Sequence, residues 1–313
     1  MATLTAERMS DDLFPGFASH WIDTEAGRIF ARSGGSGPPL VLLHGFPQTH
    51  ICFHRIAPAL AKTHTIVCPD LRGYGWSSAP KGDPAHETYS KRAMGRDVVA
   101  AMEKLGHVRF AVAGHDRGGR VAYRLALDEP GRVERLVLLD IFPTIVQWQR
   151  IEAGLTQAPH WGFLARASPA PENEIGRNPV AYFDGLLAKW SKDGTLGAFD
   201  PRALAAYRQS CNEPSRIHAF CEDYRAGKMV DLAQDEADLA AGKKIACPTF
   251  LVWSTSYRAP GAAAAGEGPL EAWRRTFAPR ATGTAVDSGH FVAEEAPAAT
   301  LAAMTSFLGA PPP

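Results

Sequence analysis

One stretch constrains the chain more than any other: Val112-Ala113-Gly114-His115-Asp116-Arg117-Gly118-Gly119-Arg120. A mostly apolar run over residues 108–112 leads into it, and a helix-like run over residues 121–127 leads out. Small residues flank one acidic side chain, as expected of a sharp strand-to-helix turn that lifts a side chain clear of a sheet. Serine is the familiar occupant of such a turn, and here the position holds Asp116. A carboxylate cannot start acyl transfer as a serine alkoxide does. It can attack a saturated carbon, displace a leaving group and leave an ester on the enzyme.

The surrounding pattern alternates strands with helices. Short alternating segments between residues 13 and 31 predict a hairpin turning at Glu25-Ala26-Gly27. Buried parallel strands are expected at residues 39–43, 65–69, 135–140, 248–253 and 283–286, each a short apolar run. Helices are expected at residues 53–61, 89–105 and 297–307. Between residues 141 and 246 the strand signal stops. Helix-forming runs rich in Trp, Tyr and His take over, at residues 145–155, 180–192, 201–209, 213–226 and 235–241. This order predicts an α/β fold: a mostly parallel central sheet flanked by helices, with a helical block inserted between two strands. His44, Asp116, Asp140 and His290 each follow a strand. Ligands of open parallel sheets bind outside those carboxyl ends, where the inserted block would roof them.

Charge balance removes several functions. Lys+Arg and Asp+Glu stand at 33 each in 313 residues, so no net charge points to nucleic acid or an anionic membrane. No apolar run approaches the roughly 18 residues of a membrane span. Residues 1–15 lack the continuous apolar core of a secretory signal. Cys52, Cys68, Cys211, Cys221 and Cys247 are scattered without CxxC spacing and read as buried thiols of a cytoplasmic protein. No metal-ligand spacing is visible, and no cofactor is called for. The Ala/Gly-rich segment 258–268 reads as a flexible connection.

Asp116, Asp140 and His290 occur in the order nucleophile, acid, histidine, the order of the α/β-hydrolase triad. Asp116 must be exposed and ionised, which a tight turn and a helix N-terminus favour. Neutral His290 would activate a water as general base. Asp140 would accept the other ring N–H and stabilise the imidazolium. In many relatives the acid follows the next strand, but Ser254-Thr255-Ser256-Tyr257-Arg258 carries no carboxylate, which favours Asp140. Asp287, three residues before His290, need not face the imidazole. The backbone N–H groups of Phe46, in His44-Gly45-Phe46-Pro47, and of Arg117 would form an oxyanion hole for the step in which water attacks the ester.

On these motifs the sequence resembles the Asp-nucleophile α/β-hydrolases, and within them the haloacetate dehalogenases. The most specific parts are Gly114–Arg120, Asp140, His160-Trp161, Cys221-Glu222-Asp223-Tyr224-Arg225-Ala226 and Ser288-Gly289-His290-Phe291. The resemblance covers nearly the whole chain. It implies that Arg117 and Arg120 hold a substrate carboxylate, and that His160, Trp161 and Tyr224 cradle the departing halide. The residue types agree with those roles. Arg117 and Arg120, three apart at a helix start, can face one pocket mouth, and a guanidinium fork matches a carboxylate. Epoxide hydrolases and haloalkane dehalogenases commonly carry Trp after the nucleophile, so Arg117 speaks against neutral substrates. A His N–H, an indole N–H and a phenol O–H can replace water around a leaving halide without bringing a negative charge.

The expectation is therefore an α/β-hydrolase core over residues 1–141 and 236–313, with a helical cap over 142–235. It would hydrolyse short 2-haloacids, turning fluoroacetate or another haloacetate into glycolate and halide. Relatives of this kind are often homodimers, and a homodimer is expected. Tyr182 and Tyr207 sustain one alternative, since two cap tyrosines could protonate an epoxide oxygen. A ligand receptor on the same fold is another, against which the intact triad argues.

Overall fold

The computed structural model describes residues 13–156, 158–257 and 267–309. Most of the connection expected at 258–268, and most of the segment read for a leader, lie outside the described residues. β1 (Ala18–Thr24) and β2 (Gly27–Gly34) form the expected hairpin. β3 (Pro39–Leu43), β4 (Thr65–Pro69), β5 (Phe110–His115), β6 (Val133–Leu139), β7 (Thr249–Ser254) and β8 (Thr282–Val286) follow. They join one sheet in the order β1-β2-β4-β3-β5-β6-β7-β8. β2 is antiparallel to both of its neighbours, and every pairing from β4 onward across the sheet is parallel. β5 is central, with Gly114 in register with Leu43 of β3 and Leu138 of β6.

Apolar runs appear where both faces are covered, and the strand period of two splits them. Leu40, Leu42, Ala111, Ala113, Val137 and Leu139 belong to one apolar cluster, with Ala57 and Leu60 of α1 (Ala57–Leu60) and Met304 of the C-terminal helix Pro297–Leu308. Val41, Leu43, Val112, Leu136 and Leu138 belong to the other, with Met94 and Val98 of α2 (Lys91–Lys104) and Val121 and Leu125 of α3 (Asp116–Asp128). Cutting one such leucine to alanine costs about 2–5 kcal/mol. The helix expected at 53–61 is broken into a 3₁₀ turn, His50–Phe53, and the short α1. Pro58 lacks the N–H of a helix interior and is tolerated only in a first turn, so the helix restarts there.

Seven helices lie between β6 and β7 among the described residues: α4 (Thr144–Glu152), α5 (Pro159–Leu164), α6 (Ala170–Ile175), α7 (Pro179–Trp190), α8 (Pro201–Cys211), α9 (Pro214–Ala226) and α10 (Leu232–Ala240). The boundary expected at residue 235 falls inside α10. Asp235 there accepts a hydrogen bond from Tyr123 of α3 at 2.8 Å, tying the inserted block to the sheet's helical layer. α11 (Pro269–Arg275), α12 (Val292–Glu295) and α13 (Pro297–Leu308) complete the fold. Among the described residues no helix is long and apolar enough to cross a membrane.

Candidate active site

β5 ends at His115 and α3 begins at Asp116, whose φ of +45° is the left-handed conformation of the turn. The flanking glycines are required sterically. A Cβ on Gly118 would sit 2.3 Å from the carbonyl oxygens of Leu43 and His44, and one on Gly114 2.4 Å from the Gly118 carbonyl oxygen. A Cβ on Gly45 would meet the Asp116 Cβ at 2.5 Å. β3, β5 and α3 can therefore approach only through hydrogen atoms at these positions.

The Phe46 N–H donates to Asp116 Oδ1 at 2.9 Å. The other oxygen, Oδ2, lies 3.9 Å from His290 Nε2. On the far side of the imidazole, His290 Nδ1 donates to Asp140 Oδ2 at 2.6 Å. Asp140 Oδ1 accepts from the Ser254 N–H at 2.8 Å, so the strand end without a carboxylate grips the acid supplied by its neighbour. Asp140 also has a positive φ, +52°. Asp287 points elsewhere: it pairs with Lys192 at 2.6 Å.

Electrostatics assign protonation states. Burial pushes the Asp116 carboxyl up, but His290, Arg117 and Arg120 outweigh it and hold the group below the ordinary carboxylate value. Burial also works against a charged His290, yet its bond to Asp140 and the charges of Asp140 and Asp116 raise it overall. Asp140 is held above its ordinary value, chiefly by burial. The His115 ring lies 4.6 Å from that of His290, tilted by 46°, and burial pulls it down to about 3, so it stays neutral.

A cavity of about 330 Å³ opens over the dyad, lined by Asp116, Arg120, Asp140, His160, Trp161 and His290. Gln147, Lys189, Trp190 and Ser254 also face it, none of them assigned a role from sequence. His160 is pulled down to about 3 by burial and is a neutral donor. The Tyr224 ring lies 5.7 Å from both the His160 and Trp161 rings, edge-on to each. The three candidate halide ligands thus pack against one another, with Tyr224 buried.

The two arginines are not equivalent in their surroundings. Arg120 lines the cavity, and its Nη1 donates to the Phe142 carbonyl at 3.2 Å and to Thr144 Oγ1 at 3.0 Å. Arg117 is fully buried. Its Nε and Nη2 donate to Asp223 Oδ1 at 3.1 and 2.6 Å. The epoxide tyrosines are also displaced. Tyr207 is buried against Glu294, to which its hydroxyl donates at 3.2 Å, and Tyr182 packs on Phe163 and Phe183; neither lines the cavity.

Fold and site together define a class. Residues 38–297 match the family model for the alpha/beta hydrolase fold, and the chain belongs to that family. Within it, the chain is 45% identical over 245 residues to fluoroacetate dehalogenase of Burkholderia sp., covering 78% of this chain and 79% of that one. It is 31% identical over 274 residues to the soluble epoxide hydrolase of Corynebacterium sp. (strain C12), covering 86% and 90%. A solved α/β-hydrolase of Nostoc sp PCC 7120 superposes with a TM-score of 0.85 at 45% identity, covering 93% of this chain and 98% of that one.

Proposed function

We propose that the protein hydrolyses the carbon–halogen bond of short 2-haloacids, with haloacetates, fluoroacetate included, as the simplest substrates. The observation that carries this reading is one cavity holding a carboxylate nucleophile, Asp116, together with Arg120 and the neutral donors His160 and Trp161. The similarity to a fluoroacetate dehalogenase supports it.

The geometry suits two displacements. Asp116 Oδ2 attacks the α-carbon opposite the halogen; a C–O bond forms, the carbon–halogen pair leaves as halide, and Asp116 becomes a neutral ester. Halide departs towards His160, Trp161 and Tyr224, whose N–H and O–H groups replace hydration. The 3.9 Å between His290 Nε2 and Asp116 Oδ2 is too long for a hydrogen bond and leaves His290 to act through water. His290 takes one proton from that water as its oxygen adds to the ester carbonyl. Oxyanion charge then develops beside the Phe46 N–H, which in the resting enzyme already donates to Asp116 Oδ1. Collapse breaks the ester, the alkoxide regains a proton, and a 2-hydroxy acid leaves. One net proton is released to solvent.

Epoxide hydrolysis is the second reading, favoured by the similarity to the Corynebacterium enzyme. Against it stand the positions of Tyr182 and Tyr207 away from the cavity. The deciding measurement is halide release from fluoroacetate and bromoacetate, with styrene oxide as the neutral comparison. Wild type should release both halides, and Asp116→Asn should lose at least about 10⁴-fold in rate. Equal rates for wild type and variant, or turnover of the epoxide alone, would sink the haloacid reading.

A further inference from the structure

Arg117 is held by a buried charge cluster that the reaction above does not use. Asp223, on α9 and fully buried, accepts from Arg117 Nε and Nη2, from Lys91 Nζ and, at 2.6 Å, from the Tyr74 hydroxyl. Its carbonyl oxygen takes a further bond from Arg117 Nη2 at 2.7 Å. Lys91 Nζ also lies 3.2 Å from Asp231 Oδ2. Two cations, Arg117 and Lys91, thus face two carboxylates, Asp223 and Asp231. Burial pushes the Asp223 carboxyl up, but Arg117 and Lys91 hold it well below the usual range.

The clamp also fixes direction. The Arg117 guanidinium lies over the Tyr224 ring at 4.2 Å and the Trp161 ring at 5.4 Å. A Cβ on Gly227 would lie 3.0 Å from Nη2, so the π-helical turn that follows α9 closes against that side. With the Nε–Nη2 edge spent on Asp223, one nitrogen remains: Nη1 is buried and has no hydrogen-bond partner among the described residues. A buried donor left unpaired is costly unless a ligand completes it.

We propose that Asp223 is a positioning residue for substrate. By taking up the charge and the inner edge of Arg117, it leaves Nη1 as a fixed, charge-balanced donor to the substrate carboxylate, next to the Tyr224 and Trp161 that receive the halide. The inference rests on the haloacid reading of the site and adds what makes Arg117 differ from Arg120. Arg117 supplies orientation from behind the cavity wall, and Arg120 faces the cavity directly.

Replacing Asp223 alone would leave two buried cations facing one carboxylate, so the test uses Lys91→Met/Asp223→Asn, which removes one charge of each sign. Two ligands are compared: glycolate, which has the carboxylate and no halogen, by calorimetric binding, and bromide, by its inhibition of bromoacetate turnover. The variant should bind glycolate at least about tenfold more weakly, the loss of one charge-assisted hydrogen bond, while bromide inhibition moves less than about twofold. Unchanged glycolate binding, or equal loss for both ligands, would overturn the inference. If the double variant does not fold, Tyr74→Phe loosens the same clamp; it should show the same split at about threefold, and its absence would overturn the inference equally. Wild type that binds glycolate but releases no bromide would remove the haloacid reading and leave the clamp standing. Wild type that does neither would remove both.

Discussion

On the floor of the cavity, Asp116 and Asp140 are gripped by main-chain N–H groups, of Phe46 at 2.9 Å and of Ser254 at 2.8 Å. On its roof, His160, Trp161 and Tyr224 are placed by ring against ring, at centroid separations of 5.7 Å. The floor inherits its precision from the sheet register, because each anchoring N–H lies within three residues of a strand end. The roof has no such template, and its geometry is the sum of many side-chain contacts from helices brought together by tertiary packing. Main-chain anchoring suits groups that form and break covalent bonds. Packed side chains suit a pocket that distinguishes leaving groups.

The roof can be broken without touching the floor. Trp161→Phe keeps the ring and deletes the indole N–H. Fluoride release should fall by about 10²–10³, as for loss of one preorganised donor, and bromide release by less than about tenfold, because bromide needs less replacement of hydration. Rates measured on the two substrates check this, and equal losses would mean that Trp161 only packs.

The floor is sharpened by pH. Burial lowers His290, and its bond to Asp140 with the charges of Asp140 and Asp116 raises it overall. The base must be neutral, so kcat should fall about tenfold per unit as pH drops below its pKa. In the ester intermediate the Asp116 charge is gone and one raising influence with it. The midpoint in kcat should therefore lie below the His290 titration of the free enzyme followed by NMR. A midpoint above it would mean that the ester step is not governed by His290.

The smallest effect lies beneath the roof–floor seam. Glu294 accepts from Gln48 and Tyr207, and burial pushes it up to about 8. A folded value raised above the unfolded one means that the protonated form stabilises the fold, fully below the unfolded carboxylate pKa, and that this is lost as pH rises through about 8. Gln mimics the protonated form, so Glu294→Gln should gain about 3 kcal/mol at neutral pH, or roughly 5 °C in Tm for a chain of this length. The gain should grow up to about pH 8 and level off above it, measured by thermal melts across pH.

The same contrast explains what could be read from the chain. Strand and helix order, the turn at Asp116 and the meeting of Asp116, Asp140 and His290 were legible because each rests on local pattern: an apolar run, then a polar residue at the strand end. The different fates of Arg117 and Arg120 were not. They depend on Asp223, 106 residues away, and no spacing rule links α3 to α9. Equally, nothing in the run that ends at Trp190 signals that its backbone carbonyl accepts the His290 N–H at 2.9 Å and sets the catalytic loop against the roof. Short-range chemistry is visible in sequence, whereas a clamp assembled across two layers becomes visible only when both layers are placed.

Gly45, Gly114 and Gly118 have a consequence for how such a protein can change. At Gly114 and Gly118 the space is fixed by backbone meeting backbone, and at Gly45 by the Cβ that any residue other than glycine carries at position 116. Three hydrogens are the invariant hardware of the turn, and the nucleophile is a replaceable part. The same frame could therefore be refitted with a hydroxyl or thiol at position 116 and put to different chemistry, whereas a methyl at any of the three glycines would jam the frame whatever reaction it served.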